Sequence, residues 1–98
     1  MVHLEINRDE VARFCRARQI RRLAVFGSVL RETFRPDSDV DVLVEFEPGS
    51  RVGFLALARA ARELSAILGR RVDLVPQGGL KPLIRDDVLA EAEVLFAE

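Results

Sequence analysis

The chain has one cysteine and one histidine in 98 residues, and neither tryptophan nor tyrosine. A single thiol rules out an internal disulfide, and one Cys with one His cannot build a structural zinc site. At this length neither is needed, because a single domain of this size buries an adequate core. No apolar run approaches the roughly 18 to 20 residues that span a bilayer, and Met1-Val-His-Leu-Glu-Ile6 lacks the basic then apolar layout of a signal peptide. These absences predict a soluble, cytoplasmic chain with no membrane partner. There is no repeat, low-complexity tract or Gly/Ser linker either, so residues 1–98 are expected to form one domain. Large net charge is missing too: 15 basic against 16 acidic residues leave −1, which argues against a dedicated nucleic-acid binder. Arginine outnumbers lysine 14 to 1, a ratio that reads as genome composition rather than design.

What is present alternates between helical and extended patterns. Asn7 followed by Glu10 is a capping-box start, and Val11, Phe14 and Cys15 share one helical face, which predicts a helix over residues 8–18. Leu23-Ala-Val-Phe26 reads as a buried strand stopped by Gly27, after which Ser28 can cap a short helix to about Thr33. Arg35-Pro36-Asp37-Ser38 has turn chemistry, and residues 39–46 are rich in β-branched side chains, so a second strand follows. Phe54, Leu57, Ala58, Ala61, Leu64 and Leu68 recur at helical spacing, with Gly69 as the C-cap. Residues 71–75 predict a third strand, residues 83–92 a helix, and residues 93–96 a short last strand. The fold class is therefore α/β (α+β), a small mixed sheet of three to four strands with helices packed on it. The arginines at 8, 13, 16, 18, 21 and 22, and the acidic residues at 86, 87, 91, 93 and 98, read as solvated helix faces. Cys15 continues an apolar face and reads as core rather than as a reactive thiol.

Three carboxylates stand where carboxylates are disfavoured. Asp39 and Asp41 fall in a valine-rich strand, where residues i and i+2 point to the same face, with Cα atoms about 6 to 7 Å apart. That separation suits a pair of hard cations about 3.5 to 4 Å apart. Asp73 is a third lone carboxylate between Val72 and Leu74, and a neighbouring strand would bring it beside the pair. Three oxygen donors suit Mg²⁺ or Mn²⁺. Each feature has a plainer reading: Asp37-Ser-Asp39 as a turn, Asp41 as an edge residue, Asp73 as the partner of Arg21 or Arg71. Gly27-Ser28, after a buried strand, lets backbone approach a ligand and offers N–H groups to a phosphate, although alone it is equally a turn and a cap. No Gly-x-Ser-x-Gly elbow, Walker motif or Gly-x-Gly-x-x-Gly is present, and the one histidine, His3, lies in the N-terminal tail.

Gly27-Ser28, ten intervening residues and Asp39-Val-Asp41 resemble the Gly-Ser-x10-Asp-x-Asp signature of the polymerase-beta-like nucleotidyltransferases. "VFGSVLRETFRPDSDVDVLVEFEPG" followed by "LGRRVDLVP" is similar to their minimal, single-domain members, and the likeness runs from about residue 20 to 96. The resemblance implies that Asp39 and Asp41 hold two Mg²⁺ ions. Asp73 would complete one metal shell and orient or deprotonate the acceptor hydroxyl. Gly27 and Ser28 would hold the β and γ phosphates of ATP, and Arg31 would reach phosphate or partner. Leu30-Arg31-Glu32 replaces the Ala-Arg-Gly of many relatives, which alters the entrance to the nucleotide pocket. Members of this size are antitoxins paired with an all-helical HEPN-domain ribonuclease toxin. The expected function is thus transfer of AMP from ATP to a hydroxyl, a tyrosine first, of such a toxin. The competing expectation is a non-catalytic antitoxin that covers its toxin. With no acceptor-binding domain in view, the acceptor is expected to bring its own surface.

Overall fold

The computed structural model describes residues 6–30, 35 and 38–98, the side chain of Ser28 excepted. Helix α1 (Arg8–Ala17) begins where Asn7, extended at φ −82° and ψ 98°, accepts the Glu10 N–H through its side-chain oxygen at 3.2 Å. Asp9 and Glu10 in the first turn complement the helix dipole, and Val11, Phe14 and Cys15 turn inward. Burial pushes the Cys15 thiol up to about 12, so it stays protonated and inert, as its place on the apolar face implied.

Gln19, in the left-handed region at φ 59°, reverses the chain into strand β1 (Ile20–Phe26). This strand starts earlier than the apolar run Leu23–Phe26 suggested. Its first rung sets Ile20 against Phe46 of the following strand, Arg22 then lies between Glu45 and Ala97, and the Arg21 carbonyl accepts the Glu98 N–H at 3.0 Å. A 3-10 turn (Gly27–Leu30) leads on to β2 (Val40–Phe46), which begins at Val40 rather than Asp39. Helix α2 (Phe54–Leu68) closes at Gly69, whose φ of 67° is the left-handed cap expected of it. Strand β3 (Val72–Pro76), a short 3-10 turn (Gln77–Gly79), α3 (Pro82–Glu91) and β4 (Glu93–Ala97) complete the chain.

The sheet order is β3-β2-β1-β4, with β1 antiparallel to both neighbours and β2 parallel to β3. The short connection after β1 thus makes an antiparallel pair, and the parallel pair uses α2 as its crossover. The fold is the mixed α/β sheet that the sequence predicts. Val25, Val40, Val42, Val44 and Leu74 meet α1 and α2 in the main core on one face. On the other face Ala24 and Leu43 form a smaller cluster with Leu80 and Val88, flanked by the partly buried Phe26, Val75 and Ala92. Helix α3 buries Val88 alone and leaves Leu83 93% exposed.

The arginines of the first quarter are not simply a solvated face. Arg8 donates to the carbonyls of Val94 and Leu95, Arg16 pairs with Glu98 at 3.6 Å and lies over the Phe96 ring, and Arg18 pairs with Glu63. They tie α1 to β4 and α2. Among the described residues no helix is long and apolar enough to cross a membrane.

Candidate active site

The period of two along β2 sends Val40, Val42 and Val44 into the main core and Asp41 and Leu43 to the thinly covered face. In the ladder, Asp41 lies opposite Asp73 on β3 and opposite Phe26 on β1. Two carboxylates therefore meet at adjacent positions of a parallel pair, where like charges repel. Asp41 is half-buried, and its carboxyl is raised above the usual range, first by desolvation and then by the charges of Asp73 and Asp39.

Asp39 stands just before β2. The Val40 N–H donates to the Arg71 carbonyl at 2.8 Å, and the Arg71 side chain pairs with Asp39, Nε to Oδ1 at 3.2 Å. Arg21 pairs with Glu45 at 3.9 Å. Both arginines offered as structural partners for Asp73 are thus engaged elsewhere. Asp73 itself is exposed on the site face. Among the described residues no three His, Cys, Asp or Glu side chains form a preassembled metal cluster. Asp41 and Asp73 come together, and Asp39 is within electrostatic reach but turned to Arg71.

Gly27 follows Phe26 at φ 76°, and a Cβ there would lie 2.5 Å from Asp41 Oδ2. Sequence reasoning assigned this glycine to the approach of a ligand. In the free chain, its missing side chain makes room for the Asp41 carboxylate. The Gly27 N–H donates to Glu91 Oε1 at 3.2 Å, so a carboxylate already occupies the anion position predicted for phosphate. Of the helix expected from Ser28 to Thr33, the described part is the 3-10 turn Gly27–Leu30. Ser28 lies in that turn; Arg31 and Thr33 lie outside the described residues.

An open cavity of about 340 Å³ lies at the carboxylate pair, lined by Asp41, Asp73, Phe26, Val75, Lys81 and Ile84 among others. Two carboxylates, one cation and an apolar wall can hold a charged ligand with a flat or apolar portion. Sequence reasoning missed Phe26, Lys81 and Ile84 as lining residues and Glu91 as the partner of Gly27. Glu91 carried no signal, being 64 residues from Gly27, whereas the solitary lysine did.

The profile of the nucleotidyltransferase domain family matches residues 8–95. The chain is 45% identical over 73 residues to protein adenylyltransferase MntA of Thermococcus cleftensis, spanning 74% of this chain and 71% of that protein. A solved protein assigned as a minimal nucleotidyltransferase is 44% identical, with a TM-score of 0.72 over 88% of this chain and 86% of its own. A chain from the complex of tri-AMPylated Shewanella oneidensis HEPN toxin with its MNT antitoxin gives a TM-score of 0.61 at 19% identity, over 93% of this chain and 70% of that one. That last likeness is one of fold.

Proposed function

The chain belongs to the nucleotidyltransferase domain family, and from that premise we propose that it is an adenylylating antitoxin of the cytoplasm. In this reading residues 1–98 act as one catalytic domain. It moves AMP from ATP to a hydroxyl, a tyrosine first, on a cognate HEPN-domain ribonuclease toxin and releases pyrophosphate. The adenylyltransferase relative and the AMP-bearing toxin of the Shewanella complex support the reaction and the partner. The observation that carries the reading is the register of β2 against β3, which sets Asp41 beside Asp73 at a cavity next to Gly27.

The residues fit a divalent metal in kind. Asp39, Asp41 and Asp73 offer only hard oxygen donors, and the mutual repulsion that raises Asp41 is what a cation relieves. To join such a site Asp39 would have to release Arg71. Mg²⁺ or Mn²⁺ held there would supply charge neutralisation for the transfer. The protein's own groups do the rest. Asp73, exposed at the cavity, orients the acceptor hydroxyl and takes its proton as the oxygen bonds to the α-phosphorus and the bond to pyrophosphate breaks. Gly27 and Ser28 hold the β and γ phosphates, the Gly27 N–H passing from Glu91 to the nucleotide. The family resemblance assigns Arg31, outside the described residues, to phosphate or partner.

One observation favours the competing steric reading: Asp39 is tied to Arg71 and no preassembled metal cluster is present among the described residues. Incubating the chain with its HEPN toxin, MgCl₂ and ATP labelled at the α-phosphate separates the two. Label on the toxin supports transfer. A toxin that is silenced without label points to covering alone.

A further inference from the structure

The cavity that brings Asp41 and Asp73 together also receives the chain's only lysine. How the segment after β3 is built makes that placement firm. The 3-10 turn over Gln77–Gly79 carries the chain across the site face, and Leu80 is anchored there at 6% exposure, its N–H donating to the Gln77 carbonyl at 3.3 Å. Pro82 opens α3, and a residue before proline is confined to extended backbone, as Lys81 is at φ −64° and ψ 137°. The Lys81 carbonyl accepts the N–H groups of Ile84 and Arg85, both at 3.1 Å. The lysine backbone is thus fixed between a buried leucine and a helix start. Its side chain is exposed and makes no ion pair among the described residues.

The neighbouring cations are committed elsewhere. Arg71 pairs with Asp39, and Arg85 reaches back to the Leu80 carbonyl at 3.3 Å. Lys81 is left presenting charge to a cavity whose other ionic groups, Asp41 and Asp73, are both negative. Carboxylates hold cations well but repel a polyphosphate, so a site for a metal-bound nucleotide gains from a positive group lining the same cavity. Lysine suits that task, being a compact point charge on a flexible stem that can follow phosphate oxygens during transfer.

Resting on the adenylyl-transfer reading of this site, we infer that Lys81 is a substrate-binding residue that contacts the polyphosphate of the nucleotide. The 14 to 1 ratio of arginine to lysine then makes the one lysine informative rather than incidental.

A single lysine also gives a clean readout independent of turnover. The intact chain is acetylated with an amine-reactive ester with and without ATP and MgCl₂, and peptide mass spectrometry separates Lys81 from the N-terminal amine. Calorimetry on the same sample measures ATP binding. At ATP tenfold above its dissociation constant, Lys81 acetylation should slow about tenfold, with the N-terminal amine unaffected. Lys81→Met should weaken ATP about tenfold or more, the scale of one lost charge-assisted hydrogen bond, and Lys81→Arg should keep most of the affinity. ATP that binds without protecting Lys81, or that binds Lys81→Met as tightly as wild type, overturns the inference and leaves adenylyl transfer standing. No binding of ATP by the wild-type chain in the presence of its toxin and MgCl₂ overturns both.

Discussion

On one side of the sheet, α1 and α2 bury Val11, Cys15, Val42 and Leu64 completely; on the other, the segment from Gln77 to Glu91 lays only Leu80 and Val88 over Ala24 and Leu43. The same strands serve both sides, because alternation sends Val40, Val42 and Val44 one way and Asp41 and Leu43 the other. The difference explains where charge can be placed. A carboxylate under α1 and α2 would have no water, whereas Asp41 is half-buried and Asp73 exposed on the thin side, close enough that the Asp73 charge helps to raise the Asp41 carboxyl. The thick face supplies stability, and the thin face keeps an unrelieved repulsion beside a cavity.

The largest effect expected is on transfer. Asp41→Asn should reduce adenylylation more than about 100-fold in the toxin-labelling assay, since it removes the carboxylate between Gly27 and Asp73. Stability should move the other way. The folded-state pKa of Asp41 is raised, so the favourable contribution of its proton is complete below the ordinary value of 3.8 and is lost as pH rises through the folded value. At pH 7 the charged group opposes folding, and thermal denaturation should show Asp41→Asn as stable as wild type or more so. That advantage should vanish in acid below 3.8. An equal advantage at both pH values would contradict the repulsion.

Gly27→Ala comes next. It forces an L side chain to φ 76° and sets its Cβ 2.5 Å from Asp41 Oδ2, so about 1–2 kcal/mol of stability should go with most of the transfer activity. Urea unfolding and the labelling assay check the two losses together. Leu64→Ala, with no exposed surface to collapse, should cost about 2–5 kcal/mol in urea yet leave transfer per folded molecule unchanged. Val88→Ala on the thin face should cost less, about 1–2 kcal/mol. Similar costs for the two would remove the contrast between the faces. The smallest effect belongs to Asn7→Ala, which loses the cap on the Glu10 N–H: about 0.5–2 kcal/mol in urea with transfer untouched.

Local rules made much of this fold legible. The α2 periodicity, its Gly69 cap, the Asn7 cap and the alternation around Val40 to Val44 each depend on nearest neighbours and are written in order along the chain. Strand β1 was read short because Arg21 and Arg22 interrupt its apolar pattern; its early rungs are set by pairing with the end of β2 and with β4. The candidate site was legible in part: the carboxylates are conspicuous in apolar strands and Gly27 ends one, and the structure sets Asp41 beside both Asp73 and Gly27. Long-range placement stayed hidden. Nothing adjacent to Glu91 announces that it reaches Gly27, and nothing in Asp39 announces that Arg71 claims it until β2 and β3 are in register. The serine cap after Gly27 did not reveal that the turn over Gly27–Leu30 is 3-10.

The central claim is that the register-matched pair on the thin face performs the transfer, and Asp73→Asn tests it most directly. Asp73 is exposed, so its amide should fold as wild type and still bind the toxin. Intact-mass spectrometry of the toxin after incubation with ATP and MgCl₂ reads the outcome: wild type should add adenylyl groups, and Asp73→Asn should add none. Undiminished addition by the variant, or a toxin silenced by the wild-type chain with no added mass, would contradict the account.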